Sequence, residues 1–307
     1  MPLAPLRILL VDMNNGVPNE AVRCFNRLIE AFAVRARDAN PGLKTPITHV
    51  QPRNLGEVPP RDVDLVLSTG GPGSPHDGFD QPWCTAYRKF LDHVVAENQR
   101  APDLAPSMFA VCHSYEISVL HFGVARMRER PSVKFGLMPA YVTAEGRQSD
   151  LLQGFGDRLF AFEHRGWEAV DLQASKLSAL SGRLLATESR PGRRDKGEAL
   201  LAFEFAPGLV GTQFHPEGDK PGVIAWIRRP EKASAFKRVY GDELYDRMMK
   251  SLSDPARLAR TFAMMVPGWL TRRFNRVAEV RGLRPIAMPE ESMEAFEAIN
   301  ERPTTAA

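Results

Sequence analysis

The sequence predicts an α/β protein: an open, mostly parallel sheet flanked by helices, followed by a helical C-terminal extension. Three observations carry this. Short apolar runs alternate with segments of helical period up to residue 122. Between residues 134 and 211 the runs shorten and follow one another through turns. From about residue 232 to 299 the chain is rich in Arg, Met, Glu and Ala at helical spacing, punctuated by Pro255, Pro267, Pro285 and Pro289. These changes divide the chain into residues 1–222 and a helical extension, residues 223–307, of which 301–307 read as a frayed tail.

Leu6-Arg7-Ile8-Leu9-Leu10-Val11 is apolar without alternation, the pattern of a strand buried on both faces. Residues 18–37 place Val22, Phe25, Leu28, Ile29 and Phe32 at helical period, and Pro41-Gly42 stops them. Ile47-Thr48-His49-Val50 is a second strand. Val63-Asp64-Leu65-Val66-Leu67-Ser68 is a third, running into Gly70-Gly71-Pro72-Gly73-Ser74-Pro75. Residues 87–97 form a helix with Phe90, Leu91, Val94 and Val95 on one side. Met108-Phe109-Ala110-Val111 is a fourth strand ending at Cys112, and residues 114–122 continue as a helix. Shorter strands are expected at 138–143, 158–162, 184–187, 200–205 and 209–212, with an exposed hairpin loop at 191–197.

Bulk properties exclude several classes. The 307 residues are 43% hydrophobic, enough for a buried core, and the net charge of +3 is too small to imply a nucleic-acid partner. Cys24, Cys84 and Cys112 are too few for a disulfide framework and suit a reducing compartment. No Cys or His cluster has zinc spacing, and neither a metal nor a cofactor is expected. No apolar run is long enough to span a bilayer, and the first residues lack the basic and apolar regions of a signal peptide. A cytoplasmic location with no membrane partner is expected.

Chemistry concentrates at strand ends, where open α/β sheets build their sites. A thiol between a strand and a helix receives the helix dipole, which favours the thiolate; Cys112 is therefore either a nucleophile or a small buried hydrophobe. The glycine loop can present backbone N–H groups to an oxyanion, Gly71 above all because Pro72 has none. A phosphate loop or a plain tight turn is the alternative, although no Gly-Lys-Ser/Thr follows. The second donor would be His113 N–H, next to the nucleophile. His215 and Glu217 lie two apart after the last strand, so they share a face if the strand continues. Glu217 can then fix the tautomer of His215, and His215 can take the Cys112 proton; a turn histidine beside a surface carboxylate is the plainer reading. His164 follows a strand and either lines the same pocket or sits in a polar loop. His113 reads as a wall of that pocket, His76 as its rim, and Cys24 and Cys84 as structural.

Together, the glycine loop, the strand-terminal Cys112 and Gln213-Phe214-His215-Pro216-Glu217 resemble class I glutamine amidotransferases, especially the glutaminase domain of GMP synthase and its stand-alone relatives. The resemblance covers residues 6–218, with about forty residues from loop to Cys and about a hundred from Cys to His. It implies a flavodoxin-like fold and attack of Cys112 on a γ-glutamyl amide through a thioester. Cys112, His215 and Glu217 would be the triad, and Gly71 and His113 the oxyanion hole. Gly73, Glu116 and His164 would bind the small γ-glutamyl substrate. The family's Cys-x-Gly-x-Gln elbow reads Cys112-His113-Ser114-Tyr115-Glu116 here, with Ala110 in place of a common glycine. A carboxylate at 116 would repel a nearby substrate carboxylate, which turns the expectation from free glutamine toward another γ-glutamyl compound. Nothing in the extension resembles a synthetase. The expected partner is therefore a separate synthetase or acceptor subunit, or a second copy joined through the C-terminal helices. A γ-glutamyl hydrolase or transferase, or a non-catalytic regulatory module keeping the fold, are the alternative functions.

Overall fold

The computed structural model describes residues 3–189 and 198–290. The hairpin loop expected at 191–197 and the tail at 301–307 lie outside the described residues. The first half comprises β1 (Ile8–Val11), α1 (Glu20–Ala39), β2 (Ile47–Val50), α2 (Pro52–Leu55), β3 (Leu65–Ser68), α3 (Pro82–Arg100), β4 (Ser107–Val111) and α4 (His113–Phe122). Then come β5 (Arg126–Val142), α5 (Ala144–Arg147), β6 (Arg158–Val170), α6 (Ala174–Ala179), β7 (Arg183–Thr187), β8 (Leu200–Ala206) and β9 (Leu209–Thr212). The chain continues through α7 (Lys220–Ile227), α8 (Pro230–Tyr240), α9 (Asp242–Ser251), a π-helical turn at Pro255–Ala259, and α10 (Arg260–Arg281).

All strands join one sheet in the order β2-β1-β3-β4-β9-β8-β6-β5-β7. The run β2-β1-β3-β4-β9 is parallel throughout. Every residue of β1, β3, β4 and β9 is buried, which explains their unbroken apolar character. Alternate residues serve opposite faces. Ile8, Leu10, Leu65 and Leu67 pack under α1 and α10, whereas Leu9, Val66, Met108 and Ala110 pack under α3 and α4.

The expectation of an open, mostly parallel sheet holds only for that run. The remaining strands β8, β6, β5 and β7 are antiparallel, and β7 pairs back onto β8, so this end of the sheet closes on itself. The cause is the long β5–β6 hairpin, whose register shifts between Glu129 and Lys134. A bulge of this kind bends a strand and increases its twist.

The C-terminal helices divide their packing. Helix α10 belongs to the main core: Trp269 lies 5.6 Å from the Phe109 ring and Phe274 5.9 Å from Phe32. Pro267, expected to interrupt the helices, sits buried inside α10. Its missing N–H is tolerated in a helix held by core contacts on both sides of it. Helices α7, α8 and α9 instead cover the outer part of the β5–β6 hairpin, where Ile227, Phe236 and Met248 meet Phe135 and Phe162. The boundary expected at residue 222 falls inside α7. Among the described residues, no helix is long and apolar enough to cross a membrane.

Candidate active site

Strand register brings three chain segments together. Ser68 pairs with Ala110 and Val111 with Thr212, so the segments leaving β3, β4 and β9 emerge side by side. At the end of β4 the chain turns sharply into α4. Cys112 occupies this turn as the helix N-cap, with φ 50° and ψ −105°. That positive φ is unfavourable for any residue with a Cβ and is found where a site requires it. Two backbone bonds hold it: Cys112 N–H donates to Thr212 O at 2.8 Å, and Glu116 N–H to Cys112 O at 2.8 Å.

His215 and Cys112 stand on either side of Gly70 and line the same cavity. The His215 backbone N–H donates to Phe162 O at 2.8 Å, an isolated bridge that anchors the segment after β9 to β6. On its ring, Nδ1 lies 2.8 Å from Glu217 Oε1, and Glu217 is buried. The packing is close enough that a Cβ on Gly70 would stand 2.9 Å from His215 Cε1 and 3.1 Å from Cys112 Cβ. Glycine is required there for that approach.

The two groups compete for one proton. Burial pushes the Cys112 thiol up and outweighs the opposing pull of His215, so the net shift is upward. Burial would lower His215, but Glu217 and the Cys112 sulfur override it and hold the imidazole well above its ordinary value. The short contact to a buried carboxylate favours the proton on His215, whereas burial favours it on the sulfur. Cys24 and Cys84 have no such partner. Both are buried on helices, and burial pushes Cys24 up to about 12 and Cys84 to about 11.

The other expected site residues separate into three groups. Gly71 lines the cavity in front of Cys112, and a Cβ there would meet Met13 O at 2.1 Å. His113 contributes an N–H in the first turn of α4, where helices lack internal acceptors. Its ring is fully buried and does not line the cavity. Gly73, at φ 95°, and His76, whose ring lies 5.0 Å from that of Trp167, also stand outside the cavity lining. Glu116 is buried behind the elbow. Its Oε1 accepts from Gln213 Nε2 at 2.9 Å, and Gln213 Nε2 lies 4.0 Å from Cys112 Sγ. Ser114 donates to Thr69 O at 2.6 Å and lies 2.7 Å from Ser68 Oγ. His164 is part of β6 and does line the cavity, 4.6 Å from the Trp226 ring. Burial, then Lys232 and His215, lower its pKa to about 4, so it is neutral at physiological pH.

The cavity measures about 250 Å³. Sequence reasoning missed half of its wall: Pro18, Asn19 and Glu20 at the start of α1, and Trp226, Arg229 and Lys232 from α7 and α8. The available signal was Asp219-Lys220-Pro221, a cap residue followed by proline, which marks a helix starting immediately after the His–Glu segment. Asp219 caps Gly222 N–H at 2.8 Å and pairs with Arg23 and Arg27, both at 2.8 Å, fastening α7 to α1 across the cavity. Among the described residues no group of three or more His, Cys, Asp or Glu side chains could hold a metal ion.

No family model matches the chain, and no curated protein matches it. Solved structures share its fold. The protein SMU.1228c is 18% identical, covering 87% of this chain and 99% of its own, with a TM-score of 0.57. A glutamine amidotransferase from Thermotoga maritima is 15% identical, over 89% and 98%, with a TM-score of 0.55. A glutamine amidotransferase from Methylobacillus flagellatus is 14% identical, over 92% and 98%, with a TM-score of 0.55. The fold is thus one that glutamine amidotransferases use.

Proposed function

We propose that this chain is a class I glutamine amidotransferase-like enzyme that cleaves a γ-glutamyl amide with Cys112, His215 and Glu217 as its triad. One observation carries the reading: a cysteine at positive φ on a strand-to-helix turn, packed close to a histidine whose Nδ1 is 2.8 Å from a buried glutamate. The shared fold supports it, as does the parallel strand order β2-β1-β3-β4-β9, which follows flavodoxin-like proteins.

In the proposed reaction the Cys112 thiolate bonds to the γ-carbonyl carbon. The carbonyl pair moves onto oxygen, where Gly71 N–H and His113 N–H receive it. The oxyanion collapses, the C–N bond breaks, and the His215 proton leaves with ammonia or the amine. Water then gives His215 a proton while its hydroxide bonds to the thioester carbon, and the sulfur leaves as thiolate. Glu217 keeps the imidazole oriented and stabilises its charged form throughout. The amine escapes to solvent or to a separate acceptor subunit.

Glutamine itself stays among the candidate substrates. The repulsion expected from Glu116 requires its carboxylate to face the substrate, and it is turned to Gln213 instead. The test is intact mass after treatment with a glutamine-mimicking electrophile, paired with assays of ammonia and amine release. One adduct at Cys112 is expected, and Cys112→Ala should lower release by about 10⁴-fold or more. A folded protein that stays unlabelled, or turnover retained in Cys112→Ala, refutes the reading.

A further inference from the structure

The charges lining the cavity do not cancel. Each carboxylate there already has a cation: Glu217 holds His215, Asp219 holds Arg23 and Arg27, and Glu20 holds Arg23 at 2.6 Å. Two cations remain, Arg229 and Lys232, neither with a carboxylate partner among the described residues. Both belong to the start of α8, Arg229 as its N-cap and Lys232 in its first turn. Cations are disfavoured at a helix N-terminus by the helix dipole, and the exposed Glu231 between them does not line the cavity. Lys232 Nζ lies 4.7 Å from the centre of the Trp226 ring, which fixes its stem on the cavity wall. His164 lines the same cavity with its ring 4.6 Å from that of Trp226, and, being neutral, supplies no counter-charge.

We propose that Arg229 and Lys232 are specificity-determining residues that bind a substrate carboxylate on the side of the cavity formed by Trp226 and the start of α8. The inference rests on Cys112 being the nucleophile of this cavity. It assigns α8, outside the segment that resembles glutaminase domains, the task of selecting an anionic acyl donor. The carboxylate is either the α-carboxylate of the glutamyl group or one on the departing amine. A salt link of this kind, partly shielded by Trp226, is worth roughly a tenfold preference or more.

The experiment compares alkylation of Cys112 by iodoacetate, an anion, with alkylation by neutral iodoacetamide, followed by intact mass and peptide mapping. It uses the wild-type chain, Lys232→Met, Arg229→Gln and Lys232→Glu. The iodoacetate-to-iodoacetamide rate ratio should fall on the order of tenfold in the two neutral variants and further in Lys232→Glu. The neutral reagent reports the Cys112 thiol in the same sample, a misfolded variant is recognised by alkylation of the buried Cys24 and Cys84, and Lys232→Arg should restore the ratio. Turnover of γ-glutamylglycine against γ-glutamylethylamide locates the carboxylate: a KM effect of Lys232→Met on both places it on the glutamyl group, and an effect on the first alone places it on the amine. An unchanged ratio in both neutral variants overturns the pair's role. A normal ratio response without γ-glutamyl turnover refutes the proposed reaction but not the anion site, and a Cys112 inert to both reagents overturns both.

Discussion

The two ends of the sheet bury different chemistry. In the parallel run, β1, β3 and β4 are apolar except for the buried Ser68 and Ser107, and their polar groups gather at the carboxyl ends where Cys112 stands. In the closed antiparallel end, the strands bury charge. Arg165 is 2% exposed, with Glu163 at 2.7 Å, Glu188 at 3.2 Å and Glu168 at 3.5 Å, while Arg128 and Arg130 pair with the same Glu168. The lesson is a division of labour. A rigid apolar half fixes the proposed nucleophile and oxyanion donors, and a polar, curled half carries the facing wall, Phe162 and His164, together with the helices that complete the cavity.

The strongest way to break this division is at its junction, Glu217, where the segment after β9 meets β6. Glu217→Gln keeps the shape and removes the charge that holds His215 protonated. The thiolate–imidazolium pair exists between the pH at which Cys112 loses its proton and the pH at which His215 loses its own. Because His215 is raised by Glu217, the variant should lose its proton at lower pH, moving the alkaline limb of kcat/KM downward and narrowing the active range. The maximum should drop by about 10²–10⁴-fold. A pH–rate profile with an unmoved alkaline limb would detach Glu217 from His215.

Next in size is a stability effect confined to the closed end. Arg165→Met would leave Glu163, Glu168 and Glu188 around a buried methionine, at a cost of roughly 3–5 kcal/mol. Denaturant unfolding should show this loss, and Glu163→Gln added to the variant should recover part of it. The same cluster sets an acid limit. Burial raises Glu188, but Arg165 and Lys134 outweigh it and hold the carboxyl below its ordinary value. A depressed carboxylate contributes stability that is present above its unfolded value and lost as pH falls through the folded one. Protection of β5–β7 amides should therefore fail at higher pH than that of β1–β4. Simultaneous loss would show that the two ends unfold as one unit.

This difference also explains what could be read in advance. Unbroken apolar runs announce strands buried on both faces, so β1, β3, β4 and β9 were legible to within two residues, and with them the positions of Cys112, Gly71 and His215. The first part of β5, before the strand expected at 138–143, was not. Arg126-Met127-Arg128-Glu129-Arg130 carries charges that suggest solvent, and only their partner Glu168, some forty residues on, makes them strand residues. For the same reason β6 was expected to end at residue 162, which left His164 beyond the strand and open between pocket wall and polar loop. Arg229 and Lys232 were invisible because their meaning depends on α7 returning across the cavity through Asp219, a contact between residues 192 and 196 positions apart.

The smallest effect sharpens the parallel end. Ser114 stands where the glutaminase elbows that this sequence resembles usually have glycine, and its hydroxyl joins Thr69 O, Ser68 Oγ and, through Ser68, Tyr87 Oη at 3.0 Å. It ties the nucleophile turn directly to the strand end that launches the glycine loop. Ser114→Ala would leave the buried Thr69 carbonyl and Ser68 hydroxyl each short of a partner, a loss of about 1–2 kcal/mol. Ser114→Gly should cost up to about 1 kcal/mol more, because glycine also loses more backbone freedom in the first turn of α4. Since the hydroxyl does not line the cavity, kcat should drop less than tenfold in either variant, with KM unchanged. If Ser114→Gly instead raises activity at no loss of stability, the serine is a defect of the elbow rather than its fastening, and the parallel end is less rigid than its apolar packing indicates.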